Sequence, residues 1–386
     1  MKRVGLLLAM TGTLIACGSN TPPAPPAAGS CGYDALVAGS DYIGGSGVGG
    51  FTATGRGFFS TGIVSGDPAL AASNGRAFLI LRDVGHIAEI DPYCGTPLDG
   101  GVYSANVPGA AGTTDPQDVA VAPDGTLWVP RYDDPSVIQI GTDGGIEQTI
   151  SLSSTSYDPD GNPNASAISI VQVNGVAKAF VALEVLNDHA LPLPAPYPNN
   201  PSLILQIDVS TGHIDGQTSL QGRNPFGLFF PYGGALWVAE PGDFSSTTEP
   251  LAGIETFDPQ TQTSKLLVRE VAFGASVAEV AVTSGCGAAI VADATSKNAT
   301  SLVTFDPDAG TPLTTAANPI LTTSGYDLQA MLWVGDTLLV GDRTMPAGGG
   351  QYAVHAFDRT AGGCVLTKRP DVISLPLPPV AFQPTP

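Results

Sequence analysis

Short apolar runs recur along the chain, separated by clusters of Asp, Gly, Pro and Asn, and no long stretch carries helical periodicity. One kind of run reads as a strand often ending in Val-Ala or a close relative: Ala35–Ala38, Ala77–Ile80, Leu127–Pro130, Phe180–Ala182, Leu236–Ala239, Ala289–Ala292 and Leu338–Gly341. A second follows each of these and ends in Ile or Phe, usually before Asp and a turn, at Phe51, Ile90, Ile140, Ile207, Phe257, Phe305 and Phe357. Successive copies of the second lie 39, 50, 67, 50, 48 and 52 residues apart. Repeats of roughly 40–50 residues, each holding several short strands, mark the blades of a β-propeller. The pattern predicts an all-β, seven-bladed propeller, with six blades as the alternative. The repeat is too long for a β-helix turn, and no linker divides the chain into separate sandwiches.

A third kind of run usually precedes the first: Asp67–Ala71, Pro116–Val121, Pro225–Phe229, Val277–Ala281 and Asp327–Ala330. These are the expected innermost strands around a central channel. The first repeat starts too late to hold one, but Pro378–Phe382 at the C-terminus resembles Pro116–Val121. The last residues are therefore expected to supply blade one's inner strand, closing the ring and removing the exposed edges of a linear array.

The segment Asp118 to Val129, Asp-x-Ala-Val-x-Pro-Asp-Gly-x-Leu-Trp-Val, resembles the NHL, streptogramin-lyase and gluconolactonase-like propellers. The resemblance covers residues 33–383 as a fold pattern and leaves activity open, because propellers host many functions. In gluconolactonase-like relatives, acidic and amide side chains around the axis hold a divalent cation. That implies Asp118, Asn224, Glu279 and Asp327 as candidate Ca²⁺ ligands; otherwise no cofactor is expected. The ring also orders four cysteines. Cys31 and Cys286 precede the second strands of blades one and six, and Cys94 and Cys364 follow the third strands of blades two and seven. Of three possible connectivities, this favours Cys31–Cys94 and Cys286–Cys364, each joining neighbouring blades.

The N-terminus changes the picture of where this domain works. Lys2 and Arg3 precede an apolar run, Val4 to Ile15, too short to span a bilayer comfortably. Leu14-Ile15-Ala16-Cys17-Gly18 resembles the bacterial lipobox. Residues 1–16 are thus expected to be a lipoprotein signal peptide, residues 17–30 a lipidated Cys17 with a Pro/Ala-rich tether, and residues 31–386 the propeller. Gly18 rather than Asp after the cysteine favours the outer membrane, facing periplasm or cell surface. Without Lys2 and Arg3, 13 basic residues face 35 acidic ones, a net charge of −22. A chain so acidic disfavours nucleic acid as a partner, leaving the membrane anchor and an envelope protein or glycan.

Candidate chemistry concentrates on one face. The long insertions, Asn187–Ser202, Gly242–Gly253, Thr295–Thr300 and Arg343–Gln351, all fall between second and third strands. Near that rim lie Arg82, Arg131, Asp133, Glu184, His189, Glu240, Asp293, Asp342 and Arg343, a set suited to a cation, sugar or peptide. Asp158-Pro159-Asp160-Gly161-Asn162-Pro163 begins like an EF-hand loop. It lacks the glycine at its sixth position and has Ser169 at its twelfth, so it reads as a turn. Gly45–Gly50 has G-x-G-x-x-G spacing without a following helix and reads as a connecting loop. No Gly-x-Ser-x-Gly motif occurs, and no catalytic residue is assigned. The sequence favours a non-catalytic envelope lipoprotein binding a protein, glycan or small ligand, against a metal-dependent lyase or lactonase.

Overall fold

The structure is a computed structural model that describes residues 31–109, 112–190, 194–244, 249–293, 299–346, 349–360 and 362–386. The signal segment, Cys17 and the tether lie outside the described residues.

Seven antiparallel sheets stand in a ring. Blade one runs outward from Pro379–Pro384 through Ala35–Ser40 and Ser46–Phe51 to Gly57–Ile63. The other inner strands are Pro68–Ser73, Ala120–Val121, Ala165–Val173, Phe226–Tyr232, Ser276–Thr283 and Leu328–Val334. Blade six has its outer edge in two pieces, Thr311–Pro312 and Leu321–Thr322, both paired to Ala299–Asp306. The count is seven rather than six, and the C-terminal strand closes the first blade, pairing Val37 with Phe382 and Ala38 with Ala381.

The apolar runs follow from how blades stack. Successive side chains on a strand point to opposite faces, and here both faces of each second strand are covered by neighbouring blades. Ala35 and Val37 pack with Leu332 and Leu339 of blade seven. Leu36 and Ala38, between them in sequence, pack with Leu70 and Leu79 of blade two. Each of the seven junctions has its own apolar cluster. A half-buried strand would alternate; these strands do not, and their apolar runs are continuous.

Gly45–Gly50 corrects a reading made from sequence. Ser46–Phe51 is the third strand of blade one, not a loop. Its glycines answer to steric demand: a Cβ on Gly49 would stand 2.0 Å from the Phe58 carbonyl oxygen, and one on Gly47 would stand 2.4 Å from the Phe59 ring. Two disulfides tie neighbouring blades. Cys31 bonds Cys94 with Cα atoms 5.4 Å apart, and Cys286, the first residue of its strand, bonds Cys364 at 4.8 Å.

Closure rests on few side chains, of which Phe382 is the largest. It is 7% exposed and meets Phe51 edge-on at 5.6 Å between ring centroids. Phe382→Ala is expected to cost about 3–5 kcal/mol in urea unfolding. A loss below about 1 kcal/mol would show that the C-terminal strand contributes little to the ring.

Candidate ligand-binding site

The inner strands enclose a channel of about 1120 Å³. Its middle is largely apolar, with Leu70, Ile168, Phe230, Met331 and Phe382 on the wall. Polar groups gather where the chain passes from one blade into the next inner strand, on the loop-rich face.

One side of this mouth is charged. Arg82 lies in a short turn after blade two's second strand, ion-paired with Asp67 and donating 2.9 Å to Gln117 Oε1. Asp115 precedes blade three's inner strand with φ +47°. Burial pushes its carboxyl up to about 6, against the pull of Arg82. Glu184 follows blade four's second strand, 5% exposed, and accepts a 2.9 Å bond from the Tyr132 hydroxyl. Burial pushes Glu184 up to about 8. With burial and Glu184 both opposing ionisation, the Tyr132 phenol is raised as well. The other side is aromatic: Tyr42, Phe226 and Tyr326 line the channel. Tyr42 donates 3.1 Å to Gln329 Oε1, and the Arg343 guanidinium lies 4.4 Å over its ring.

Of the residues named from sequence, Arg82 and Glu184 stand on the channel wall. Arg343 backs the mouth through Tyr42. Asp133 and His189 are exposed on the rim. Arg131 is 3% exposed and internal, donating 2.7 Å to Ser136 Oγ and pairing with Asp134 at 2.7 Å. Glu240 is fully buried beside Glu255, whose carboxylate accepts from the Gln221 and Gly222 amides at 2.9 and 2.6 Å. Burial first, then Glu255, drives Glu240 well above the ordinary carboxylate range. Asp342 accepts 3.0 Å from His355 Nε2, and Asp293 ends blade six's second strand. Sequence reasoning passed over Asp115, Gln117, Tyr132, Tyr42, Phe226 and Tyr326. Asp115 could have been found, because it directly precedes the inner-strand run at Pro116.

The four implied Ca²⁺ ligands are not brought together. Asp118 Oδ2 accepts from the Ile168 amide at 2.9 Å, and its Oδ1 from its own Val119 amide at 2.7 Å. Glu279 Oε1 accepts from the Met331 amide at 2.7 Å. In both cases the neighbouring inner strand shifts register, between Ala165 and Ala167 and between Gln329 and Met331. The Ile168 and Met331 amides lie just past these shifts, and the carboxylate of the adjacent blade accepts each. Asn224 Nδ2 is bound to the Gly242 carbonyl at 2.8 Å, and Asp327 Oδ2 accepts from Gly325 at 3.1 Å. Among the described residues no three His, Cys, Asp or Glu side chains stand together at metal-ligand spacing. A central ion does not fit this arrangement.

Comparison with solved structures agrees with the ring. The chain is a seven-bladed β-propeller. It aligns with a 6-phosphogluconolactonase-like protein from Bacteroides uniformis at TM-score 0.57 and 12% identity, covering 92% of this chain and 99% of that one. It aligns with a protein of unknown function from Desulfotomaculum acetoxidans at TM-score 0.52 and 11% identity, covering 91% and 98%. Virginiamycin B lyase from Staphylococcus aureus gives 0.48 and 13%, covering 79% and 84%. At such identities the likeness concerns the propeller's fold alone. No protein-family model matches the chain, and no curated protein matches it.

The buried acids make stability depend on pH. Glu184 titrates near 4.5 when unfolded and at about 8 when folded. Between those values the native protein holds a proton that the unfolded chain has released, so stability present below about 4.5 is lost as pH rises toward 8. Asp118 and Glu279, both raised to about 7 by burial, act in the same direction. Urea unfolding is expected to show a more stable propeller at pH 5 than at pH 8, with Glu184→Gln narrowing the difference. An unchanged pH dependence in that variant would refute the assignment.

Proposed function

We propose that the protein is an envelope lipoprotein, tethered through Cys17, whose propeller binds a glycan end or small sugar at the channel mouth without transforming it. The observation that carries this reading is the pairing of a charged wall, Arg82, Asp115 and Glu184, with an aromatic one, Tyr42, Phe226 and Tyr326, around one cavity. Sugars present C–H faces that stack on aromatic rings and hydroxyls that both donate and accept. A neutral Glu184 can donate, a carboxylate at Asp115 can accept, and Arg82 and Gln117 fix orientation. The acid excess of the chain disfavours polyanions at the same mouth.

A second reading, a lyase or lactonase, is favoured by one feature. Two carboxyls raised toward neutrality in a cleft are suited to general acid–base work. A lactonase-like activity would also match the name carried by the Bacteroides uniformis neighbour. The axial carboxylates, engaged with backbone amides, do not supply the metal-dependent form of that chemistry.

Calorimetric titration with a panel of neutral oligosaccharides is expected to find a ligand recovered unchanged. Tyr326→Ala and Arg82→Ala should each weaken it at least tenfold, roughly 1.4 kcal/mol or more. Conversion of the ligand, abolished by Glu184→Gln, would establish the enzyme instead; no binding across the panel would remove the glycan reading. Labelled palmitate is expected to enter the wild-type chain in cells and not a Cys17→Ala variant. Equal labelling of both would refute the anchor.

A further inference from the structure

Charge and polarity are distributed unevenly along the channel. Among the described residues, the charged side chains on its wall are Arg82, Asp115, Asp118, Glu184 and Glu279. Arg82, Asp115 and Glu184 belong to the mouth. Asp118 and Glu279 stand close behind it: Asp118 is three residues past Asp115, and the charge of Glu279 acts on Tyr326. Both of these carboxylates are engaged with inner-strand amides. Farther in, the wall turns apolar. Ile170 and Val171 of blade four, Leu228 and Phe230 of blade five, and Trp333 of blade seven line it, and all five are only partly buried. The polar side chains at that depth are neutral, Ser73, Ser169 and Gln383, and Gln383 Nε2 is already bonded to the Leu70 carbonyl at 3.1 Å. Blade five carries the apolar wall all the way to the mouth. Between Phe226 and Phe230 its inner strand takes four steps where its partner, Ala239 to Trp237, takes two. Phe226, at the start of this bulged segment, is 37% exposed.

We propose that the channel takes the alkyl chain of an amphiphile whose sugar head sits at the mouth. This rests on the sugar reading above and names the remainder of the ligand, a glycoside with an apolar tail. The groups that suit a sugar, Arg82, Gln117, Glu184 and the aromatic rings, are confined to the mouth. A hydroxylated chain continuing inward would leave most of its hydroxyls without partners, which is costly. An alkyl chain gains instead, because each methylene leaves water for an apolar wall. The dimensions agree. The cavity of about 1120 Å³ exceeds the roughly 300–1,000 Å³ of pockets for drug-sized ligands, so a sugar at the mouth fills only part of it. One acyl chain spans half the hydrocarbon core of a bilayer, about 15 Å. The wall from Phe226 to Tyr232 is a seven-residue strand, at most about 20 Å long. One chain is therefore accommodated between the mouth and the far end. Its path begins at Phe226, which offers an apolar surface beside the head, and continues past Leu228 and Phe230 on the same blade.

Trp333 reports on the inner wall. Of the chain's three tryptophans it lines the channel, whereas Trp128 and Trp237 are buried within their blades. The full chain would be titrated with maltose and with hexyl, octyl and decyl β-maltoside, each below its micelle concentration, by calorimetry and by tryptophan emission. Decyl sulfobetaine supplies the same tail without a sugar. Affinity should rise about fourfold for each methylene added, hence roughly tenfold or more from hexyl to octyl and again from octyl to decyl. The decyl compound should move tryptophan emission to shorter wavelength, and W333F should abolish that shift. I170D should flatten the chain-length series. L228D should do the same, which keeps the test open if one variant fails to fold. The sulfobetaine should bind roughly tenfold or more weakly than decyl maltoside. Maltose that binds, with affinity unchanged from hexyl to decyl, would overturn the tail and leave the sugar reading standing. So would an undiminished series in both variants. A sulfobetaine that binds as well as decyl maltoside would remove the sugar reading, and the glycoside with it.

Discussion

The pairing of Pro379–Pro384 with Ala35–Ser40 is the interaction on which the rest of the structure depends. Each blade covers one face of the next, so no sheet is complete until its two neighbours are present. The first sheet becomes complete only when the last residues of the chain return to it. That return buries Phe382 against Phe51 and supplies one wall of the channel. It also brings Tyr42 of blade one beside Gln329 and Arg343 of blade seven, across the seam. The meeting of Tyr42 with blade seven is thus a product of closure, whereas Phe226 belongs to blade five's own inner strand.

Carboxylates serve two purposes in this ring. Asp118 and Glu279 lie in equivalent positions, each accepting a backbone amide just past the register shift of the next inner strand. They act as struts between blades. Asp115 precedes an inner strand and Glu184 follows a second strand, and neither is bonded to the amide of a neighbouring inner strand, although all four acids line the channel. On blade three the two kinds, Asp115 and Asp118, are only three positions apart. Burial raises the pKa of both kinds, so the shift alone does not tell them apart.

The architecture was legible in the sequence because double-faced burial writes continuous apolar runs, and seven of them recur. Blade four's inner strand, Ala165–Val173, was not, because it lacks the lead-in of its counterparts and mixes polar with apolar positions. Gly45–Gly50 misled because glycine spacing was weighed as a loop signal, when close packing against Phe58 and Phe59 was what required it. A small part of the mouth was visible: Arg82 and Glu184 follow second strands directly. Tyr42 and Tyr326 were not, since one lies in a loop and the other in a turn, and only closure juxtaposes them. Arg131 and Asp342 occupy rim positions in sequence yet turn inward, to Ser136 and His355. The axial acids were placed correctly near the channel, but the oxygens of Asp118 and Glu279 are claimed by amides of the next inner strand, which the sequence pattern does not show.

Native-state hydrogen exchange, resolved by peptide around the ring, tests the closure most directly. If the seven sheets form one cooperative unit sealed at blade one, the amides of Ala35–Ser40 and of the closing strand exchange with the same free energy as those of Val176–Leu183 in blade four. Exchange of the blade-one pair at a free energy well below that of blade four would contradict the account. It would mean that the seam opens on its own and that the mouth is not held by the ring.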